Sequence, residues 1–419
     1  MRRLSSVVVA GAALAGLPVV LVAAPAQADQ ADCTAITQRT DSSTDITGPS
    51  TPYDLLGMAA AADVADRYVS QPPVRVAVLD TGVRVPGDGG IVVHQAERIA
   101  QGDDGVVDGS GTEVAGLVAG AARAGGDPVG FAPHTEIVDV QVAAVRVGER
   151  DQVPPTPDSV AQGLDWVAQN AKPLNIKVAT VAFDAGSGSG LEDAVAKAQA
   201  AGVVVVAATG DPVESTSTDT AEAGQPGPQV DAADDGKLPA FAGVVAVNTT
   251  VGGVAGADDA TYVLPNSDTT VAVPTADGVS YGLNGKTCRV AAPSTSAATG
   301  EVAGVVALLW QRFPEEQPAQ IVARLVNTAS GTTDDPTPLT GYGIVQPLDA
   351  LTRPVDPAED GTVQRSRPEA GPDGPVSPPS APTDLLASTR DDAVWWALIG
   401  GGLVVVALLL RPVLARRRQ

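Results

Sequence analysis

Asp80 follows the apolar run "VRVAVL" (74–79), and Ser296 opens the long small-residue run "SAATGEVAGVVALLWQRF" (296–313). A carboxylate ending a buried strand and a hydroxyl heading a helix are two parts of a nucleophilic site. In such a site the hydroxyl attacks, a base takes its proton, and an acid orients the base. The head of a second small-residue helix, "DGSGTEVAGLVAG" (108–120), is where the base is expected, and Ser110 stands there. A serine hydroxyl has no useful basicity near neutral pH, so it cannot deprotonate Ser296. The chain has 2 histidines, and neither sits in such a motif. His94, in "GGIVVHQAER", reads as part of a loop before the helix, and His134, in "GFAPHTEIV", reads as solvent-facing. Glu113 lies one helical turn beyond Ser110 on the same face. Buried, its carboxyl would titrate high and could act as an acid-range base; exposed, it is a charge suited to a helix N-terminus. Asp211 follows the run "VVVVAA" (203–208), and its carboxylate would repel an oxyanion developing beside it. Without a base to orient, Asp80 is expected to cap the turn at Thr81-Gly82, and Ser296 to cap the N-terminus of its helix.

These residues need elements to hold them. "VRVAVL" (74–79), "EIVDVQV" (136–142), "IKVATVAF" (176–183) and "VVVVAA" (203–208) read as buried strands. Between them, "PDSVAQGLDWVAQNA" (157–171) and "LEDAVAKAQAAG" (191–202) read as amphipathic helices, and "QPAQIVARLVNTA" (317–329) follows the Ser296 helix. Strands alternating with helices predict an α/β fold, a doubly wound parallel sheet with helices on both faces. Such sheets carry their sites at the carboxyl ends of the strands, where Asp80 and Asp211 fall.

The chain has 419 residues, 44% of them hydrophobic and only 3% aromatic, so the core must be built from Ala, Val and Leu. The net charge of −23 argues against a nucleic-acid partner, which needs a basic footprint. Arg2 and Arg3, an apolar run and Ala26-Gln27-Ala28 predict a secretory signal peptide over 1–28. Cys33 and Cys288 are the 2 cysteines, and in an exported chain they predict one disulfide. Residues 393–410 carry no charge and would span about 27 Å as a helix, close to the hydrocarbon thickness of a bilayer. Arg411 and Arg416–Arg418 follow, which predicts a cytoplasmic tail over 411–419 and a folded part on the other side of the membrane. The stretch 353–392 is rich in Pro, Asp, Ser and Gly and reads as a linker. No metal-loop spacing of acidic residues is present in the sequence, so neither a metal nor another cofactor is expected.

"AVLDTGV", "DGSGTEVAGLVAG" and "AAPSTSAATGEVAGVVALL", in that chain order, resemble the motifs of the subtilisin-like serine proteases of peptidase family S8. The whole plan resembles the mycosins, membrane-anchored subtilases of type VII secretion. That plan is a signal peptide (1–28), an N-terminal extension (29–70), a subtilase domain (71–352), a proline-rich linker (353–392), a transmembrane helix (393–410) and a short tail. "FPEEQPAQIVARLVNTASG…GYGIVQPLDALT" resembles the end of the mycosin domain. The resemblance implies that Ser110 holds the place of the family histidine and Asp211 that of the oxyanion asparagine. It also implies that "GSGSG" (186–190) is the substrate-binding strand and its turn. Glu113 and Asp211 invite comparison with the acid-active sedolisins, which place their glutamate at the histidine position itself. The resemblance further implies a location in the cell membrane and partners among the subunits of a type VII secretion complex. Three functions follow as expectations: a structural pseudoprotease, a residual or acid-active serine endopeptidase, or a module that binds peptide without cutting it.

Overall fold

The computed structural model describes residues 32–85, 90–100, 105–122, 129–146, 153–212, 231–252, 263–364 and 387–415. The expected signal peptide, most of the expected linker and the last residues of the tail lie outside these.

The body is built on a sheet of parallel strands: β1 (Arg75–Asp80), β2 (Val93–Arg98), β3 (Glu136–Gln141), β4 (Ile176–Val181), β5 (Val204–Ala208), β6 (Val245–Thr250) and β7 (Val271–Pro274). Their order is β2-β3-β1-β4-β5-β6-β7, as the doubly wound reading requires. The alternating pleat assigns each strand's residues to two cores. From β1, Val76 and Val78 enter one core, and Ala77 and Leu79 enter the other. By the same alternation Asp80 belongs with Val76 and Val78.

On the Ala77–Leu79 face lie α4 (Pro157–Leu174) and α5 (Leu191–Ala200), which contribute Val160, Leu164, Val167, Leu191 and Val195. A capping box between Thr156 and Ser159 starts α4, and Asn175 in the left-handed conformation ends it. On the Asp80 face lie α3 (Ser110–Ala119) and α6 (Thr295–Arg312), with α7 (Pro318–Thr328) and α8 (Pro347–Thr352) following. α1 (Thr51–Leu55) and α2 (Met58–Ala65) add Tyr53, Met58 and Ala61 to the same core. α6 is buried almost throughout, which explains why its sequence is apolar all round.

Small residues set the approach of α3. A β-carbon on Gly111 would meet the Gly82 carbonyl oxygen at 2.5 Å, so only glycine lets the head of α3 reach the turn after β1. That turn itself uses Gly82 at φ +99°.

An antiparallel pair, β8 (Gly278–Tyr281) with β9 (Thr287–Val290), covers the outer side of α3. The N-terminal extension lies along it. Cys33 and Cys288 form the expected disulfide, Asp45 accepts from the Thr287 amide at 3.0 Å, and Asn284 Nδ2 donates to the Asp41 carbonyl at 3.0 Å. Arg39 reaches inward to the Val106 carbonyl, just before the head of α3.

The body continues to Gln364, into the stretch whose composition reads as linker. Gln320 Nε2 on α7 donates to the Pro357 carbonyl at 2.9 Å, which ties that stretch to the helix. A separate unit carries α9 (Ala387–Ala415), in which 23 residues, Thr389–Arg411, are long and apolar enough to cross a membrane.

Candidate functional site

Asp80 ends β1 and is fully buried. β1 pairs with β3 so that Asp80 stands opposite Gln141, and the Val142 amide donates to the Asp80 carbonyl at 2.9 Å. The chain leaving β3 therefore starts its loop beside Asp80. Val142–Val145 are buried, and the next residue, Arg146, turns its side chain back over the strand end.

Arg146 makes the central contacts of the site. Its Nε donates to Asp80 Oδ1 at 3.1 Å and its Nη2 to Asp80 Oδ2 at 2.5 Å, a two-pronged pair. Its Nη1 donates to Ser296 Oγ at 2.6 Å. Its backbone amide donates to Asp108 Oδ2 at 3.0 Å, which anchors the loop to the segment leading into α3. Burial works against the charge on Arg146, but Asp80, Glu113 and Asp108 more than restore it and raise its pKa. A guanidinium thus bridges the acid and the hydroxyl, the position an imidazole would need in order to act. Both groups are held, and neither is offered a proton acceptor by their common partner.

Ser110 is the first residue of α3, and its amide donates to Asp108 Oδ1 at 2.9 Å. Asp108 thereby fastens both the head of α3 and the Arg146 loop. Asp80 also caps its own turn as expected, with Oδ1 accepting from the Thr81 amide at 2.8 Å. Thr81 Oγ1 accepts from the Gly111 amide at 3.2 Å, so the turn and the helix head share one hydrogen-bonded corner.

Ser296 differs from the expected capping role. The N-cap of α6 is Ser294, whose hydroxyl accepts from the Ala297 amide, while Ser296 lies within the first turn with its hydroxyl on Arg146. The reason is the extended backbone of Ser294, at φ −147° and ψ 129°, which a capping residue needs and a residue inside the helix cannot adopt.

Asp211 follows β5 through Gly210, which takes φ +103°. Its Oδ1 accepts from the Thr295 amide at 2.7 Å and its Oδ2 from the Ser294 hydroxyl at 3.2 Å. A carboxylate is thus seated on the positive end of α6, one residue before Ser296. Amide groups at such a helix head are the natural donors to an oxyanion. Here a resident anion uses one of them.

Glu113 is half-buried rather than a freely solvated charge. Burial, against the opposing pull of Arg146 and with help from Asp32, Asp80 and Asp108, raises its carboxyl to about 7. The histidines stay away from this corner. His94 lies in strand β2, not in a loop, with Nδ1 3.3 Å from Glu136 Oε2, and exposed His134 faces Asp66 at 3.4 Å. The segment 186–190 forms the loop between β4 and α5 rather than a strand. A β-carbon on Gly188 would strike Pro157, and flanking Asp184 pairs with Lys237 at 2.7 Å. Among the described residues no cluster of three or more His, Cys, Asp or Glu side chains could hold a metal ion.

Arg146 is the residue that motif reasoning misses, because it belongs to no short pattern. A signal for it exists: a buried Asp80 without an imidazole needs a cation, and Arg146 closes the buried run "VAAV" that begins beside Asp80.

The sequence profile of the Subtilase family, Peptidase_S8, matches residues 73–345, which include every residue of this corner. M-protease of Shouchella clausii is 30% identical over 314 residues, covering 73% of this chain and 70% of that protein. Mycosin-5 of Mycobacterium tuberculosis is 33% identical over 150 residues, covering 35% of this chain and 25% of its own length. Among solved structures, MycP1 from the ESX-1 type VII secretion system is similar at TM-score 0.56 and 22% identity, over 80% of this chain and 93% of that one. A chain of an intact ESX-5 inner membrane complex is similar at TM-score 0.57 and 21% identity, over 87% and 91%. With a doubly wound parallel sheet and a family match over residues 73–345, the chain belongs to the subtilase family.

Proposed function

We propose that this chain is a mycosin-like pseudoprotease, a subtilase fold without turnover that serves as a structural and interaction subunit of a type VII secretion membrane complex. The observation that carries the reading is the Arg146 bridge, with Nη1 2.6 Å from Ser296 Oγ while Nε and Nη2 hold Asp80. A guanidinium is a donor only and stays charged, so it cannot accept the proton of the serine hydroxyl. A cation can favour a neighbouring alkoxide, but Asp80 offsets this one and the proton still lacks an acceptor. In subtilisin, removing the histidine alone costs about 10⁶-fold in turnover. Asp211 on the head of α6 adds repulsion against any oxyanion.

The likeness to Mycosin-5, to MycP1 and to the ESX-5 membrane complex supports the choice of assembly. In this reading α9 anchors the chain with its folded body outside the cytoplasmic membrane, after removal of a signal peptide over 1–28. The mature chain then runs as extension, subtilase body, linker, anchor and a short cytoplasmic tail. The test is a fluorophosphonate label on the purified full-length protein at pH 7, run beside co-purification with the secretion complex. The expected result is no label and retained co-purification, both unchanged in Ser296→Ala. Labelling that disappears in Ser296→Ala ends the pseudoprotease reading.

The raised carboxyl of Glu113 favours one second reading, an acid-active hydrolase. That reading demands peptide turnover in mildly acidic buffer that is lost in Glu113→Gln.

A further inference from the structure

A second concave surface lies at the opposite end of the sheet, where the strands begin. It is a cleft of about 760 Å³ between α7, the entries to β6 and β7, and the turn Glu359–Gly361. α7 explains its floor. Ile321 and Leu325 point into the core, whereas Val322 and Val326, one position further round the helix, line the cleft as an i, i+4 pair. Val244 and Tyr342 add to the apolar surface, and among the described residues no Lys or Arg lines it.

Its wall is a built turn. The Asp360 carboxylate accepts from the Thr362 amide at 2.9 Å and the Thr362 hydroxyl at 2.7 Å. A β-carbon on Gly361 would strike the Ala319 carbonyl at 2.8 Å, so the turn lies tight against α7. Glu359 and Asp360 are thereby held at the rim of an apolar trough. The turn belongs to the stretch Arg353–Gln364, the last of the body in chain order before the segment leading to α9.

We propose that this cleft is a docking site for a short partner-protein segment in which apolar residues are flanked by Lys or Arg. The apolar residues would cover Val322 and Val326, and the flanking cations would meet Glu359 and Asp360. Charge complementarity selects this occupant. The chain's net charge of −23 disfavours a second copy of itself, and the acidic rim disfavours an acidic segment. The proposal does not depend on whether Ser296 is inert, because the site shares no residue with the Asp80–Arg146–Ser296 corner.

The test uses the full-length protein in nanodiscs of zwitterionic lipid and two fluorescein-labelled probe peptides, Lys-Leu-Leu-Lys-Leu and Glu-Leu-Leu-Glu-Leu, read by anisotropy against empty nanodiscs. The basic probe should bind saturably and the acidic probe should not. Val322→Asp with Val326→Asp should weaken binding at least tenfold. Glu359→Gln with Asp360→Asn, which keeps a side-chain acceptor for Thr362, should weaken it several-fold and flatten its salt dependence. Equal binding of both probes, no saturable binding, or binding indifferent to the cleft variants would each overturn the proposal. So would self-association abolished by Val322→Asp, which would assign the cleft to a second copy. Circular dichroism of each variant separates loss of binding from loss of fold.

Discussion

Two buried carboxyl groups of the body have opposite surroundings. Asp80, at the end of β1, is fully buried and held by both prongs of Arg146. Glu301, five residues along α6 from Ser296, is equally buried, yet neither oxygen has a hydrogen-bond partner among the described residues. Burial alone pushes the Glu301 carboxyl well above its ordinary range, towards its neutral, protonated form. Asp80 is paired with a guanidinium, whereas Glu301 has no such partner among the described residues and its carboxyl is pushed towards the neutral form. Under the proposed reading the Asp80 corner is a structural joint rather than a reactive group, and Glu301 is a polar inclusion in an apolar helix.

The sharpest way to break this comparison is Arg146→Ala. Removing one partner of a buried pair leaves the other charge uncompensated, and a loss of about 3–5 kcal/mol in unfolding free energy is expected by urea titration. Adding Asp80→Asn should recover most of it, because the stranded charge is gone. A loss below about 1 kcal/mol for Arg146→Ala would mean that the pair is no joint at all.

Glu301→Gln tests the other half. A carboxyl whose folded pKa is raised favours the fold fully below its unfolded pKa and progressively less as pH rises above it. The wild-type chain should therefore lose about 1.4 kcal/mol per pH unit from this group, starting near pH 4.5 and ending at its folded pKa. Glu301→Gln should abolish that slope and gain on the wild type as pH increases. Parallel stability-versus-pH curves would place a partner on Glu301.

Glu113→Gln should remove a slope of the same sign and size, confined between the ordinary value of 4.5 and about 7. Its window closes near neutrality, and stability measured from pH 4 to 9 in the two single variants and the double variant assigns each group's part of the slope. The smallest effect is expected for Ser296→Ala, about 1 kcal/mol or less, since it deletes one hydrogen bond while Arg146 keeps Asp80.

Much of the fold is legible in the sequence because buried parallel strands are continuous Val and Ala runs. β1, β3, β4 and β5 and the helices between them can be read directly, and so can the pairing of Cys33 with Cys288 and the apolar span now within α9. β2 is harder: "VHQAER" lies at the sheet edge and mixes exposed and half-buried positions, so it carries little apolar signal. The positions of Asp80, Ser110, Ser296 and Asp211 can be read from motifs, but their partners cannot. Ser294 rather than Ser296 caps α6 because backbone conformation, not residue type, decides between neighbouring serines. Arg146 enters through the register of β1 on β3, a relation between segments far apart in the chain. A search for a substitute base looks only among histidines and carboxyls, whereas this site is completed by a cation.

Arg146 also has a historical consequence under the proposed reading. Restoring a histidine at position 110 by itself would set an imidazole against a guanidinium already bound to both of its intended partners. Removing Arg146 by itself would strand Asp80 and weaken the fold, and either change would leave Asp211 on the head of α6. Under that reading neither of these single steps leads back to hydrolysis. The lock works as an evolutionary ratchet, and it would free the rest of the surface to diversify toward new partners.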